Sequence, residues 1–453
     1  MTQNREAWGS RFGFILAAAG SAVGLGNIWK FPYIAGENGG AAFIFIYLIC
    51  IGIIGFPVLI AEILIGRTTK KNPVGAFAAL TKSKIWVSVG FLGVAAGFMI
   101  LSFYSVIGGW TIGYVVETLR GSLSSFKSPD EAGALFGTLS GSATWTLGYH
   151  SVFFALVMGI VIRGVQGGIE LSSKIMMPVL LSILVILIIR GVTLEGASEG
   201  LAFLWVPDWS KINGQAVLTA LGHAFFTLSL GMGAMLTYGS YMSKRDNLIT
   251  SAAQIVFLDT LIAIMAGVAI FTAVFASGLD PAAGPGLIFQ TLPAVFSTMT
   301  GGVYFSFLFF LLLAIAALTS AISLLEVVVA YFVDEKGWNR KGAVIAFGGT
   351  IFLLGIPSAL SFNIMADVTL FDKTFFDIVD FTASNILLPF GGLMIAIFAG
   401  WIWSRTAVMA AVKEGAEQLF ETYPWFEGIW FLFLKFIAPV LITLVLLNSL
   451  GII

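Results

Sequence analysis

Eleven apolar segments of membrane-spanning length follow one another along the 453-residue chain, and they limit its fold more than any other feature. Only 10% of the residues are charged and 58% are hydrophobic, so the charges are too few to coat a water-exposed surface of this size. Because lipid offers no hydrogen-bond partners, the segments are predicted to be helices that cross a bilayer. They lie near residues 11–36, 41–66, 86–119, 148–164, 169–191, 213–241, 251–277, 303–332, 343–357, 375–403 and 428–450.

The distribution of Lys and Arg predicts the orientation of these segments. If the N-terminus is cytoplasmic, the inner loops hold sixteen of these residues and the outer loops hold five. This excess follows the positive-inside rule, so we expect a cytoplasmic N-terminus and, after eleven crossings, an extracellular C-terminus. The inner stretch 404–427 carries mixed charge and is predicted to lie on the membrane surface. The five outer residues are Arg120, Lys127, Arg190, Lys211 and Lys373.

Two of the segments are predicted to be broken helices. Residues 20–27 in segment 1 read GSAVGLGN, and residues 225–233 in segment 6 read FFTLSLGMG. Each places a Gly-x-Gly near mid-membrane beside small polar side chains, and glycine weakens a helix interior by about 1 kcal/mol relative to alanine. Unwound backbone at this depth must line a polar cavity, where its carbonyls can bind a cation. The alternative is close helix packing through small residues.

The spacing of the two breaks indicates an inverted repeat. The first and sixth segments occupy equivalent places if segments 1–5, residues 11–191, pair with segments 6–10, residues 213–403. Segment 11, residues 428–450, is then peripheral. We therefore expect an all-α polytopic membrane protein of eleven helices, forming a single domain over residues 1–453.

Several classes of function are disfavoured by the sequence. The net charge of −1 provides no basic surface for nucleic acid, and the single cysteine, Cys50, excludes a disulfide or a cysteine zinc site within one chain. The segments contain no Ser-His or paired-Asp arrangement and no His-Glu metal spacing, so an intramembrane enzyme is not expected. A channel would need a continuous pore and usually subunit symmetry. A secondary active transporter and a channel are both considered, and accumulation of substrate against a gradient would distinguish them, because a channel cannot accumulate.

The motifs at the two breaks resemble a known family. Residues 20–32, GSAVGLGNIWKFP, followed by ENGG at 37–40, resemble the first-helix motif of the neurotransmitter:sodium symporters. Residues 225–233 resemble the sixth-helix motif, and the resemblance extends over nearly the whole chain, including Trp110-Thr111 and Leu318-Thr319-Ser320. The likeness is strongest to bacterial members that import amino acids. It implies sodium-coupled uptake of hydrophobic L-amino acids, aliphatic and aromatic, across the bacterial inner membrane, without an obligate protein partner.

The resemblance implies two sodium ions as cosubstrates, each held by oxygen atoms. Sodium is a hard cation, and carbonyls, amides and hydroxyls supply oxygen ligands without burying excess charge. The substrate carboxylate would complete the first site, so ion and amino acid stabilise each other. The first ion would be bound by the Ala22 carbonyl, Asn27, Thr227 and Asp259. The second would be bound by the carbonyls of Gly20, Val23 and Ala316 and the hydroxyls of Thr319 and Ser320.

Asp259 departs from the family pattern, in which this position usually carries asparagine. A carboxylate inside a membrane is usually functional. It would bind sodium directly, and it would also replace the chloride that animal members require. The alternative is that Asp259 faces an aqueous vestibule. His223 stands where the family often has glutamine, and it would either link transport to pH or be a neutral histidine with satisfied hydrogen bonds.

The resemblance also implies an amino-acid site between the two breaks. Tyr104 would bond to the substrate carboxylate, and the amino group would meet carbonyls near Ala22, Phe226 and Thr227. The side-chain pocket is apolar, which favours a hydrophobic substrate, and the flexible Met232 suits several substrate shapes. For each apolar residue the alternative is ordinary core packing. The complete set is Ala22, Leu25, Gly26, Ile100, Tyr104, Phe226, Thr227, Ser229, Met232, Ser320 and Leu324.

Charged pairs on either side of this site would act as gates. On the outer side, Lys30 replaces the usual arginine and would pair with Asp380, but lysine lacks the bidentate geometry of arginine. On the inner side, Arg5 would pair with Asp334, while Trp8 packs against the bundle near Tyr241. The alternative for these terminal charges is a solvated loop. Gly168 and Pro178 in segment 5 would form a hinge whose unwinding admits water to the second sodium site.

Overall fold

The computed structural model describes residues 5–124, 126, 128–281 and 284–452. Lys127, one of the five outer basic residues, lies outside them. Within the described residues the chain is mostly helical, and its β-type pairing is limited to one isolated bridge between Leu370 and Lys373. The prediction of an all-α membrane protein is confirmed.

Nine helices of the described chain are long and apolar enough to cross a membrane, and one bent pair of helices supplies a tenth span. The nine correspond to segments 2–5 and 7–11, and the bent pair is segment 1. Segment 9 is longer than predicted, because its helix extends three residues beyond each end of 343–357. The nine helices are Ala41–Thr69, Lys84–Leu119, Ala143–Val161, Val165–Val192, Leu248–Ala276, Gly302–Lys336, Arg340–Leu360, Phe375–Ile402 and Trp425–Ser449.

Segment 1 is broken where the glycine-rich motif predicts it. Its first half is the helix Arg11–Ala22, and its second half is Gly26–Glu37, which begins with a π-helical turn and bends by 50° from the first. Val23 has extended backbone dihedrals (φ −72°, ψ 103°), so the helical hydrogen-bond pattern stops there. The carbonyls around residues 20–24 are thereby freed from regular helix bonding.

Segment 6 is also broken, as predicted, and its two halves are the helices Gly214–Thr227 and Ala234–Ser240. Between them, Ser229 has φ 53° and Gly231 has φ 80°, values that a helix excludes and that a non-glycine residue rarely adopts. The buried Glu62 of segment 2 accepts a hydrogen bond of 2.6 Å from the Gly231 N–H. A side-chain carboxylate thus takes over a backbone partner that the interrupted helix cannot supply.

The two breaks meet at the centre of the bundle. The first half of segment 1 packs against segments 5, 7 and 8, while the second half of segment 6 packs against segment 2. Segments 3 and 8 run along each other and form the opposite wall. Segment 11 contacts segment 10 and the first half of segment 6 from outside, consistent with a peripheral position. The inner stretch 404–427 contains the short helices Arg405–Lys413 and Glu417–Thr422.

Candidate functional site

A small cavity lies between the two helix breaks and segments 3 and 8. It offers about 20 Å³ of space for water centres, which is room for about one water molecule. Nine of the eleven residues predicted to bind the substrate line it, together with Gly24. Leu25 lines the larger cavity beyond it, and Thr227 is buried beside Asp259. The nine residues are Ala22, Gly26, Ile100, Tyr104, Phe226, Ser229, Met232, Ser320 and Leu324.

Tyr104 connects the unwound part of segment 1 with segment 3. Its hydroxyl accepts a hydrogen bond of 3.2 Å from the Leu25 N–H. A Cβ atom at Gly24 would lie 2.8 Å from this hydroxyl and 3.1 Å from the Ser320 hydroxyl. Glycine at position 24 therefore allows the tyrosine to approach the broken backbone. The polar part of the cavity lining comes from this hydroxyl and from Ser229 and Ser320.

The residues predicted for the first sodium ion lie together and are buried. The Asn27 amide donates to Asp259 Oδ1 over 2.7 Å, and the Thr227 hydroxyl donates to the same oxygen over 3.0 Å. Asp259 is completely buried, so the alternative in which it faces an aqueous vestibule is wrong. The group combines one carboxylate, one amide and one hydroxyl, a donor set that suits a hard monovalent cation.

The residues predicted for the second sodium ion join segments 1 and 8. The Thr319 hydroxyl lies 3.5 Å from the Val23 carbonyl and 3.0 Å from that of Ala316. A Cβ at Gly20 would lie 3.3 Å from Thr319, so the two backbones are close. The Ser320 hydroxyl donates instead to the Ser21 carbonyl, over 2.9 Å. All donors in this group are neutral.

Ser21 is a central residue that the sequence did not single out. Its carbonyl accepts hydrogen bonds of 2.9 Å from the hydroxyls of both Ser229 and Ser320, and its own hydroxyl donates to Ser323 over 2.7 Å. It therefore links both breaks to segment 8. Its position inside the motif at 20–27 was the only available indication.

The predicted outer pair borders a second cavity of about 370 Å³, which lies beyond Phe226 and Tyr104. Lys30 and Asp380 both line it but, among the described residues, form no ion pair with each other. The Lys30 ammonium lies 4.6 Å from the centre of the Phe226 ring, and Asp380 accepts a hydrogen bond of 2.8 Å from the Ser384 hydroxyl. The pairing expected from the sequence is therefore not formed here, and each group contacts a different neighbour on the cavity wall.

The predicted inner pair is formed. Arg5 makes an ion pair with Asp334 and donates to the Ser240 hydroxyl over 2.6 Å. The Trp8 indole donates to the Tyr238 carbonyl over 2.9 Å, and the Trp8 N–H donates to the Tyr241 carbonyl over 3.3 Å. The N-terminal residues are thus attached to segment 6, and the alternative of a solvated loop is wrong for Arg5.

A second inner network reinforces this closure. The Tyr241 hydroxyl donates to the buried Glu326 over 2.7 Å, and Glu326 forms an ion pair with Arg340. Arg340 also pairs with Glu6 over 3.0 Å. Sequence reasoning did not identify Glu326 or Arg340. The available indication was a carboxylate within the apolar segment 8, since charges inside membrane segments are rare and usually paired.

Segment 5 is a continuous helix over Val165–Val192, with a π-helical turn at Val165–Glu170. Gly168 lies in that turn, and a Cβ there would overlap the Ile160 carbonyl. Pro178 lies inside the helix and is exposed, whereas its neighbour Met177 packs against Gly20. The two predicted hinge residues therefore lie in one helix that touches the second group of sodium-binding candidates.

His223 is buried against the rings of Phe31 and Tyr47, with ring centres 5.8 Å and 5.4 Å away. Neither ring nitrogen has a hydrogen-bond partner among the described residues. The prediction of a histidine with satisfied hydrogen bonds is therefore wrong in this structure. A link between His223 and pH stays a hypothesis.

The fold and this site define the class of the protein. Two helices unwound at one central cavity, with oxygen-rich groups beside it and a closed network on one side, are typical of secondary transporters. A family model described as the sodium:neurotransmitter symporter family matches residues 5–129 and 138–452. The chain belongs to this family, so it is a sodium-dependent symporter and not an enzyme.

Individual relatives agree with this assignment. An uncharacterized sodium-dependent transporter, YhdH of Bacillus subtilis (strain 168), is 44% identical over 99% of both chains. An uncharacterized sodium-dependent transporter of Haemophilus influenzae is 38% identical over 99% of this chain and all of its own. The crystal structure of MhsT in complex with L-phenylalanine superposes with a TM-score of 0.89, at 48% identity, over 98% of this chain and all of that one.

Proposed function

We propose that this protein imports hydrophobic L-amino acids, aliphatic and aromatic, by symport with two sodium ions. The observation that carries the proposal is the convergence of both helix breaks on one cavity whose lining combines apolar side chains with the hydroxyls of Tyr104, Ser229 and Ser320. The complex of MhsT with L-phenylalanine supports an aromatic amino acid as one substrate.

The amino acid binds with its charged end at the breaks and its side chain among the apolar side chains of the lining. The Tyr104 hydroxyl and the N–H groups of Leu25 and Gly26 donate to the carboxylate. Carbonyls near Ala22 and Phe226 accept from the ammonium group. The remaining contacts come from Ile100, Thr227, Ser229, Met232, Ser320 and Leu324. Because the cavity has room for about one water molecule, its side chains must move apart when an amino acid enters.

Two sodium ions bind on either side of the break in segment 1. Asn27, Thr227, Asp259 and the Ala22 carbonyl hold the first ion, together with the substrate carboxylate. This shared contact makes the affinity for each ligand depend on the other, which couples the two fluxes. The carbonyls of Gly20, Val23 and Ala316 and the hydroxyls of Thr319 and Ser320 hold the second ion. Asp259 supplies the fixed negative charge that makes chloride unnecessary.

Transport proceeds by alternating access between two gates. The inner gate consists of Arg5, Asp334, Trp8 and Tyr241, and its contacts are closed while a cavity remains beyond Phe226. Substrate entry brings Lys30 and Asp380 together over Phe226. Release to the inside then requires the inner contacts to open, with unwinding of segment 5 between Gly168 and Pro178.

The orientation follows from the charge distribution. The N-terminus and the inner gate face the cytoplasm of a bacterial cell, and the C-terminus lies outside. Residues 11–191 and 213–403 form the two inverted repeats, which move relative to each other about the central site, while residues 428–450 remain peripheral. The partners are the amino-acid substrate, sodium and the lipid bilayer.

Reconstituted uptake tests the proposal. Proteoliposomes containing the purified protein are given labelled leucine, phenylalanine or tryptophan, with either a sodium or a potassium gradient. Saturable accumulation above the external concentration, only with sodium, is the expected result. Equilibration without accumulation would indicate a channel instead. Unlabelled glutamate is the control, because its side chain is charged and should not enter an apolar pocket, so it should leave leucine uptake unchanged.

A further inference from the structure

Lys435 is a charged residue within the peripheral segment 11, far from the transport site. It is the tenth residue after Trp425, which begins the helix, so its backbone lies about 15 Å along the axis from that end. Placing a lysine inside a lipid-facing helix is unfavourable by about 2.5–3.5 kcal/mol unless a partner or the interface compensates. Among the described residues no carboxylate forms an ion pair with Lys435.

Aromatic rings surround the ammonium group in place of a carboxylate. Its nitrogen lies 4.4 Å from the ring centre of Trp401, 5.5 Å from that of Phe436 and 5.8 Å from that of Phe431. The Trp401 indole N–H donates to the Lys435 carbonyl over 2.8 Å, which fixes the orientation of the indole ring. Trp401 is 55% exposed and Phe436 is 47% exposed, so the group lies on the outer surface of the bundle.

A second cation approaches the same rings. The Arg405 guanidinium carbon lies 5.1 Å from the centre of the Phe431 ring, which it shares with Lys435. Arg405 begins the surface helix Arg405–Lys413 just after segment 10 ends. Side chains of a helix lean toward its N-terminus, so Lys435 is directed toward the side of the bundle where Arg405 lies.

The acidic groups nearby do not neutralise this pair of cations. Glu427 lies 3.6 Å from Arg405, but it also holds Lys413 over 2.7 Å. One carboxylate therefore serves two cations, and Lys435 remains without an acidic partner. The other carboxylates of the inner stretch, which form no ion pair with these cations, are Glu414, Glu417 and Glu421.

We propose that Lys435 and Arg405, flanked by Trp401 and Phe436, bind the phosphate of an anionic phospholipid headgroup. The two cations supply the charge, and the exposed rings of Trp401 and Phe436 lie where the acyl chains and glycerol backbone would cover them. A lipid fits better than a free anion, because the rings form an apolar surface that water-soluble phosphate would leave uncovered. The site lies on the N-terminal side of the membrane, where anionic lipids enrich the cytoplasmic leaflet of a cell.

Native mass spectrometry of the full-length protein in detergent tests this site. The protein is incubated with phosphatidylglycerol or with phosphatidylcholine of the same acyl chains, and the bound fraction of each lipid is measured. Lys435→Met removes the charge but keeps the length of the side chain, whereas Lys435→Arg keeps the charge. Lys373→Met is the matched control, because the Lys373 ammonium also lies over a ring, 3.7 Å from the centre of Phe381, but at the other end of segment 10.

Phosphatidylglycerol is expected to bind in preference to phosphatidylcholine. Lys435→Met should lower the bound fraction of phosphatidylglycerol about fivefold, because one basic residue near a membrane surface contributes about 1 kcal/mol to the binding of an anionic lipid. Lys435→Arg and Lys373→Met should bind as the unmodified protein does. Equal binding by Lys435→Met and Lys373→Met would overturn the proposal. So would displacement of the lipid by inorganic phosphate at equimolar concentration, which would indicate a site for a free anion. If Lys435→Met aggregates, Trp401→Leu tests the same site and should show the same loss.

Discussion

Replacing Asn27 with alanine should weaken the binding of one sodium ion without emptying the substrate pocket. The Asn27 side chain donates to Asp259 Oδ1 over 2.7 Å and accepts from the Gly24 N–H over 3.1 Å. Alanine removes both contacts, so within the described part of the chain the buried carboxylate keeps the Thr227 hydroxyl as its one side-chain partner. It also removes the amide oxygen that we propose as a sodium ligand.

The magnitude follows from the lost contact between the ion and the Asn27 amide oxygen, taken to be as strong as a hydrogen bond to a charged group. One bond to a charged group contributes about 1.5–3 kcal/mol, which corresponds to about a tenfold to 150-fold change in affinity. The half-saturating sodium concentration for leucine uptake in proteoliposomes should rise by that factor. Leucine affinity at saturating sodium should change much less, because Asn27 does not line the small cavity.

Asn38→Ala is the matched control for this measurement. Asn38 follows the second half of the same segment, and its amide donates to the Ile34 carbonyl one turn earlier in the same helix, over 2.8 Å. It should leave the sodium dependence unchanged. Size-exclusion profiles of both variants check that the fold persists. A sodium dependence of Asn27→Ala within about threefold of the control would refute the assignment, because that difference is smaller than one such hydrogen bond.

Three further predictions test other parts of the site. Tyr104→Phe removes the hydroxyl that we propose as a donor to the substrate carboxylate, so binding of labelled leucine should weaken by about tenfold to 150-fold; unchanged binding would exclude a contact with the carboxylate. Thr319→Ala removes a hydroxyl that we propose as a ligand of the second sodium ion, and it should raise the sodium concentration needed for uptake, whereas Ser306→Ala, near the start of the same helix and beside Thr118, should not. Arg5→Ala breaks the inner ion pair with Asp334; a cysteine introduced on the inner side should then react faster with a thiol reagent, and an unchanged rate would argue against a gate.

The hinge needs a carefully chosen substitution. A Cβ at Gly168 would overlap the Ile160 carbonyl, so Gly168→Ala disturbs the folded turn as well as its ability to unwind. Pro178 is exposed, and its replacement by alanine restores a backbone donor with little change in packing. Unchanged sodium release in Pro178→Ala would count against local unwinding of segment 5.

Much of the fold was predictable because the bilayer restricts the choices so strongly. The eleven segments were found from length and hydropathy alone, and each corresponds to a helix or a broken pair. The two breaks were found because Gly-x-Gly beside polar side chains is unfavourable in an uninterrupted helix. Their consequences for binding were not derivable in the same way, and the residues assigned to each ligand came from the resemblance to a family.

The contacts that hold the breaks open could not be read from the sequence. Glu62 lies 169 residues before Gly231, whose N–H it accepts, and Ser21 lies 302 residues before Ser323. Nothing in the local pattern relates such positions, because side-chain pairing across a bundle depends on the rotation and tilt of each helix. The same limit applies to Lys30 and Asp380, which the sequence paired and the structure holds apart on a cavity wall.

The sequence by itself determined that lipid surrounds most of this protein, how many membrane segments it has and where two of its helices must break. These properties depend on residues close together in the chain and on the absence of water in the bilayer core. The tertiary structure alone decided which carboxylate faces which amide, which of the predicted ion pairs forms and how small the central cavity is. These properties depend on close contacts between helices that are far apart in the chain, and close packing transmits a small shift at one contact through the whole bundle.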